Sequence, residues 1–449
     1  MKIKNLQEKV INHIKEKFDY FEQENIDTAA SSLSFIGTWG DNLGFENLKL
    51  NCLKTSNKLK FIILYIKDLY SAIKYSDIEY SNNFEINGQR SLIISTASGN
   101  DFSAEGFYKD RYLKIKSRDY KEFIFLILFG ERKFPNNIDK NIVLFKKKKN
   151  FLKGIFNFLN FLKLLILNPL VFKKKIHHFS DQTNFAQEIA GSITKIINFE
   201  RIKTVLSPFE GIPYQQKIFE NIKKINNDII TVGYDHSAPH AMPLNMYHRN
   251  GSPDYLVVNG SSQLQHLENF LNWPKSKLIE FPSLRYEENS KEDFNNIVFL
   301  PWKIFNPQKI LKDLELFIKK SPDGSLYPLK VKTHPVCVNV SSQEKIRDNI
   351  NKIINDNNEK FSENIKNNSV SIFIGSTTGV IVALEKGLKI LHICFDPIFD
   401  SYSEFLWPNL NVEKITENTF IYSLKKSGTF IKFGQGKKTF DDYYRNFKK

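Results

Sequence analysis

Apolar residues recur along residues 5–26 at Leu6, Val10, Ile14, Phe18 and Phe21, a single stripe when wound at helical spacing. A polar loop from Ser31 to Asp41 follows, then a second helical stretch from Leu59 to about Tyr75. Beyond it the pattern changes to short, continuous apolar runs. Ser91–Ser95, Phe123–Phe129 and Ile142–Phe145 are each bounded by turn residues and each predict a buried strand. The loop between the first two of these, Thr96 to Asp110, is rich in Gly, Ser and charge.

After a polar helix (Asp181 to Asn198) the chain settles into alternation. Strands are predicted at Lys203–Ser207, Asp228–Gly233, Asp254–Val258 and Lys277–Phe281, with helices at Tyr214–Ile225 and Gln263–Leu271. A polar, acidic linker, Glu287 to Asn295, interrupts the alternation, which then restarts. Strand Asn296–Leu300, helix Pro307–Lys319, strand Leu329–Thr333 and helix Ser342–Ile354 come first. Strand Val370–Ile374, a helix from Gly379 to about Lys386 and strand Lys389–Phe395 follow. Strands alternating with helices imply parallel sheets. The expected fold is therefore α/β, with two Rossmann-like domains (residues 1–286 and 287–449) facing a cleft and a helical extension at the N-terminus.

One helical stretch stands apart. In residues 151–168 the polar positions Lys153, Gly154, Asn157, Asn160, Lys163 and Asn168 fall within one half of a helical wheel. Leu152, Ile155, Phe156, Leu159, Leu162, Leu165 and Ile166 fill the other half, and Pro169 ends the run. Lys146–Lys149 and Lys173–Lys175 flank it. This is the pattern of a basic amphipathic helix lying in the plane of an anionic membrane surface. A transmembrane span would put Lys153 and Lys163 in hydrocarbon; a buried core helix is the plainer alternative, and the lysine flanks argue against it.

Composition adds three constraints. A chain of 449 residues is too long for one core, and 41% hydrophobic with 25% charged residues is a globular composition. The net charge of +15 is concentrated: residues 146–175 contain nine lysines and no acid. Those lysines bracket an apolar segment instead of interleaving with stacking aromatics, so the expected partner is a membrane surface and not nucleic acid. Cys52, Cys337 and Cys394 are odd in number and widely spaced, which implies a reducing cytoplasm. The amphipathic N-terminus reads as a helix and not as a signal peptide.

Candidate chemistry lies at strand ends, where open α/β sheets bind ligands. The stretch from Ser369 to Gly387 reads as strand, hydroxyl-rich turn and helix, which aims Gly375, Ser376, Thr377 and Thr378 and the start of the helix at one spot suited to an anion. Taken alone, Ser376 or Thr378 would simply cap the helix. A second polar strand end, Lys332-Thr333-His334-Pro335, can face the same crevice if its strand neighbours the first. Lys332 and His334 would then add charge and a donor to a phosphate site. Glu210, in Ser207-Pro208-Phe209-Glu210-Gly211, and His236, in Gly233-Tyr234-Asp235-His236-Ser237, follow strands of the first domain and would face the cleft from the other side. Glu210 has the chemistry of a general base for a hydroxyl, although it could equally cap the next helix. His236 and His240 have a metal-like spacing but no acidic or cysteine partner nearby, so no metal ion and no cofactor is expected.

The Lys-x-His-Pro strand end paired with a Gly-Ser-Thr turn resembles GT-B glycosyltransferases of bacterial surface polysaccharide synthesis. The similar groups are the capsule and Kdo transferases, the bacterial sialyl- and polysialyltransferases, and the teichoic-acid polymerases. The resemblance implies that His334, Ser376 and Thr377 hold the phosphate of a nucleotide-sugar donor, often a CMP-sugar, in a C-terminal donor domain. It places the acceptor on the N-terminal domain near Glu210-Gly211 and His236. Phe209 stands where the sialyltransferases carry a further acid, and Val382 stands where many retaining enzymes carry Glu, which favours an inverting, CMP-sugar-like donor. No Asp-x-Asp, Walker A, Gly-x-Ser-x-Gly or dinucleotide Gly-x-Gly-x-x-Gly motif occurs. The expected function is a cytoplasmic glycosyltransferase, peripheral on the membrane, that extends a lipid-linked glycan. Polyol-phosphate transfer with the same phosphate ligands, and a non-catalytic subunit that recruits glycan machinery to the membrane, are the alternatives.

Overall fold

The structure is a computed structural model that describes residues 3–23, 27, 29, 42–53, 58–81, 88, 91–115, 117–167, 179–197, 199–288, 293–301, 304, 306–334, 341–363, 370–434 and 439–447. Pro335, Cys337, Asn168 and Lys173–Lys175 lie outside the described residues.

Eight strands form the first sheet: β1 (Asp77–Tyr80), β2 (Ser91–Ala97), β3 (Phe123–Phe129), β4 (Ile142–Lys148), β5 (Thr204–Pro208), β6 (Ile230–Tyr234), β7 (Tyr255–Val258) and β8 (Leu278–Glu280). Their order is β1-β4-β3-β2-β5-β6-β7-β8, parallel throughout except for β1 against β4. The apolar runs are continuous because both faces are covered. In β3, Ile124 and Leu126 enter one core, while Phe123, Phe125 and Ile127 enter another on the opposite face. The chain reverses its direction of travel between β2 and β5, and the carboxyl ends of these two strands flank a crevice of the kind that binds ligands.

The second sheet has the order β10-β9-β11-β12-β14-β13. β9 (Ile297–Leu300), β10 (Lys330–Thr333), β11 (Val370–Ile374) and β12 (Lys389–Ile393) are parallel, and β13 (Leu410–Lys414) and β14 (Thr419–Leu424) add an antiparallel hairpin. The strands bearing the two polar ends, β10 and β11, are not neighbours, contrary to the condition set by the sequence; β9 lies between them. The crevice still forms, because β9 and β11 are the switch point of this sheet and β10 is one place away.

The two sheets share an unbroken core, in which Phe18, Tyr247 and Trp273 are continuous with Phe373, Tyr402 and Trp407. Trp407 is fully buried, stacks on His266 at 4.1 Å and 4°, and donates from Nε1 to the Ala241 carbonyl at 2.9 Å. Tyr402 donates its hydroxyl to the Pro239 carbonyl. The N-terminal helix Ile3–Gln23 straps the halves together: Phe18 stacks on Tyr247, and the Gln7 amide donates to the carbonyls of Ile398 and Ser401. The C-terminal helix Phe440–Arg445 does not stay with the second sheet. Tyr443 packs on Tyr234 and Phe281 of the first, and Thr204 donates to the Phe447 carbonyl.

The amphipathic helix is present as Phe151–Leu167, with Asn160 and Lys163 of its polar half exposed and much of its apolar half exposed as well. Lys153 faces inward, paired with Asp77 at 3.1 Å and Glu188 at 2.6 Å, while Leu152, Ile155, Phe156, Leu159 and Ile166 of the apolar half are exposed. Of the flanking lysines, Lys147 also pairs inward, with Asp181. No helix among the described residues is long and apolar enough to cross a membrane.

Replacing Trp407 by Ala is expected to cost about 3–5 kcal/mol of stability, the range for deleting a large buried aromatic ring. Chemical denaturation followed by circular dichroism measures it. An unchanged midpoint would show that the joint between the sheets is not formed in solution.

Candidate active site

The two switch points face one cavity of about 580 Å³, within the usual size range of small-molecule sites. Its first wall comes from the first sheet: Thr96 at the end of β2, Arg111 and Tyr112 from the loop after it, Glu210 after β5, and His236, Ser237 and His240 after β6. Arg285 enters from the crossing between the sheets. The second wall comes from the other sheet: Pro301 after β9, His334 after β10, and Ser376, Thr377 and Thr378 after β11.

Six of the eight residues singled out from the sequence therefore line one space: Glu210, His236, His334, Ser376, Thr377 and Thr378. Lys332 and Gly375 do not. Strand alternation puts Lys332 in register with Phe299, and its ammonium group sits 4.9 Å from the centre of the Phe294 ring, near the Asp293 carbonyl. Gly375 acts through its backbone. It has φ +65°, and a side chain there would run into the Phe395 ring, 1.9 Å from an added Cβ. Its carbonyl also meets His392 Nε2 at 2.7 Å. It shapes the turn that presents the three hydroxyl residues.

The helix after that turn, Gly379–Glu385, is capped by neither Ser376 nor Thr378. Thr377 Oγ1 accepts from the Gly379 amide at 3.2 Å, so the capping role expected for this turn falls to the middle residue. The reading of Glu210 as a helix cap also gives way. The start of the helix Pro213–Ile225 is closed by Gln215, whose Oε1 accepts from the amides of Glu210 and Ile212. The Glu210 carboxylate is left facing the cavity, with 35% of its side chain exposed and His236 Nε2 at 3.4 Å.

Burial and two arginines act on these groups in opposite senses. Burial raises the Glu210 pKa above its ordinary value, while Arg285 and Arg111 pull it back down. His236 is held well below its ordinary value by burial, then by Arg285 and Arg111, so its ring is neutral at neutral pH. Its Nδ1 is buried with no hydrogen-bond partner among the described residues, and its Nε2 faces the Glu210 carboxylate. Burial lowers His240 to about 4. His334 is lowered by burial and by Arg285. The cavity thus combines two guanidinium groups, neutral imidazoles and hydroxyls around a single carboxylate, a set that favours an anionic ligand.

Arg111, Tyr112 and Arg285 were not visible as site residues in the sequence. Arg111 and Tyr112 follow the polar loop by one and two residues, and what fixes them is Asp110. Its buried carboxylate accepts from the amides of Tyr112, Leu113 and Ile115. Tyr112 then shares a hydrogen bond with Thr96 and sets its ring edge-on to His236 at 4.4 Å. Arg111 is steadied by Asp101 at 3.5 Å. A loop-borne Arg carries no periodic signal, and only the fold reveals where it points. Among the described residues no group of three or more His, Cys, Asp or Glu is arranged to hold a metal ion.

No family model and no curated protein sequence matches the chain. Solved structures with a similar chain path include an α,α-trehalose 6-phosphate synthase from Burkholderia multivorans (8% identity, 63% of this chain and 71% of that one, TM-score 0.31). A glycosyltransferase from Rickettsia africae ESF-5 is another (11% identity, 64% and 72%, TM-score 0.29). At such scores the likeness carries no argument about substrate or chemistry.

Arg285→Gln removes a positive charge that disfavours protonation of both Glu210 and His236. Both pKa values are therefore expected to rise together, as read by NMR titration of the labelled carboxyl and imidazole groups. A shift in only one, or in the opposite sense, would show that Arg285 does not act on the pair.

Proposed function

We propose that this protein is a glycosyltransferase that moves a sugar from a nucleotide-activated donor to a hydroxyl of a lipid-linked surface glycan. The observation that carries this reading is the shared cavity. A carboxylate suited to take a proton and a set of phosphate-binding groups come from different sheets and face each other across it. The donor phosphate lies against His334, Ser376, Thr377 and Thr378, with Arg285 adding charge. The acceptor hydroxyl lies against Glu210.

In the reaction the acceptor oxygen attacks the anomeric carbon while its proton passes to Glu210. The bond from the anomeric carbon to the donor phosphate breaks, and the nucleotide leaves with the electron pair. The guanidinium and hydroxyl groups meet the charge that builds on the leaving phosphate. The arginines also have a second effect: they oppose the rise in the Glu210 pKa that burial causes, which favours its basic form when the acceptor arrives. His236, neutral and with Nε2 facing Glu210, orients the carboxylate. A single displacement of this kind inverts the anomeric centre, and a CMP-sugar is the donor class to test first. The protein would act in the cytoplasm, peripheral on the inner face of the plasma membrane. The outward apolar half of the helix Phe151–Leu167 supports that location.

Glu210→Gln is expected to lower kcat by about 10²- to 10⁴-fold, the worth of a general base, while donor binding persists. His334→Ala is expected to weaken donor binding instead. The first measurement is a thermal-shift screen with CMP, UDP, GDP and CDP-linked ligands, since any ligand of the native state raises Tm by mass action. If none of them does, the donor-site assignment fails.

A further inference from the structure

The helix Phe151–Leu167 is not alone in turning an apolar face outward. In the helix Lys58–Lys74 the residues Leu59, Ile63, Ile66 and Tyr70, spaced by four, three and four, form one stripe, and all are exposed, Leu59 to 65%. On Phe151–Leu167 the matching stripe is Leu152, Ile155, Phe156, Leu159 and Ile166, with Leu152 at 82% and Ile166 at 77%. Scattered exposed leucines are ordinary, but two whole helical stripes are not.

The two helices form one unit. Gly154 lies so close to the end of the first that a Cβ there would be 1.9 Å from the Ile73 carbonyl oxygen. The Asn150 amide donates to the Lys74 carbonyl, and Phe158 and Phe161 turn inward onto Phe179. Both helices also join the sheet at the same place. Phe151–Leu167 leaves from the carboxyl end of β4, and Lys58–Lys74 leads into the start of β1, where Asp77 is in register with Lys148. That is the end of the sheet at which Glu210 and His236 sit.

Charge identifies the occupant. The two helices contain one acid between them, Asp68, and it turns inward to accept from the Asp181 amide. Lys58, Lys67 and Lys163 are exposed on the helices, and Lys148 and Lys149 are exposed beside them. A two-fold dimer through this face would set lysine against lysine. An anionic lipid surface would take the apolar stripes between headgroups and pair the lysines with phosphates.

We propose that the helices Lys58–Lys74 and Phe151–Leu167 together form the face by which the protein docks on an anionic bilayer, with the cleft end of the first sheet turned towards the lipid. This rests on the peripheral membrane location proposed above, and adds to it the second helix and the orientation.

The test is co-sedimentation of the full chain with phosphatidylcholine vesicles, with and without phosphatidylglycerol. It compares the wild type with Ile63→Glu/Ile66→Glu and with Leu152→Glu/Phe156→Glu. All four positions are exposed, so circular dichroism and Tm should be unchanged. Binding is expected only with phosphatidylglycerol, and each double variant should weaken it at least roughly tenfold. Retained binding by the Ile63/Ile66 variant alone would overturn the two-helix face and leave the peripheral location standing. No vesicle binding by the wild type would overturn both, while the nucleotide thermal shifts judge the transferase reading separately. A concentration-dependent dimer in sedimentation velocity, lost in the same variants and without vesicle binding, would make the face a self-association surface and end the proposal.

Discussion

The shared cavity depends on two sheets being held in one fixed relation, and the Trp407 joint holds them. The indole is stacked on an imidazole of the first half and hydrogen-bonded to its backbone, in a core with no seam between the halves. Such packing tolerates little sliding, because close-packed interiors do not deform continuously. The strap from Gln7 to the 398–403 segment and the Tyr402 bond to Pro239 lie on the same side of the molecule's architecture, the junction between the two sheets. The cavity walls are consequently set by elements remote from it. Glu210 and Ser376 share a space because Trp407, far along the chain, is buried against His266 and Ala241 of the first half.

Within the cavity the balance is between desolvation and two guanidinium groups. Burial alone would leave Glu210 protonated too readily and would disfavour any anion. The arginines oppose both tendencies, and they add to the burial that holds His236 and His334 below their ordinary values. A neutral imidazole can donate one hydrogen bond and accept another, which suits His236 and His334 to orienting partners more than to countering charge.

The parallel strands and their connecting helices were legible from the sequence because fully buried strands leave continuous apolar runs that end at turn residues. The strand ending at Ile374 is one of these. Strands without such runs were not seen. β1 reads Asp-Ile-Glu-Tyr and pairs at a sheet edge, and β13 alternates with exposed Asn and Glu. The site was half legible. Glu210, His236, His334 and the Ser376–Thr378 turn stand at strand ends, where local order predicts a crevice. Lys332 failed because alternation sends neighbouring residues to opposite faces, and a motif quoted as a string hides that. The sequence places Lys153 in the polar half of 151–168 without its partners, Asp77 and Glu188, because those come from a strand and a helix remote in the chain.

The return of the last helix to the first sheet has a consequence for how the protein is made. Tyr443 and Phe447 complete a core whose other members, such as Phe123 and Tyr234, are translated hundreds of residues earlier. Multidomain chains commonly fold in the order of synthesis, each unit closing before the next emerges. Here the sheet made earlier is completed by a helix made after the second sheet. Until residues 440–447 are made, the patch of that core which Phe440, Tyr443 and Phe447 cover stays open to solvent, an apolar surface through which the nascent chain could aggregate.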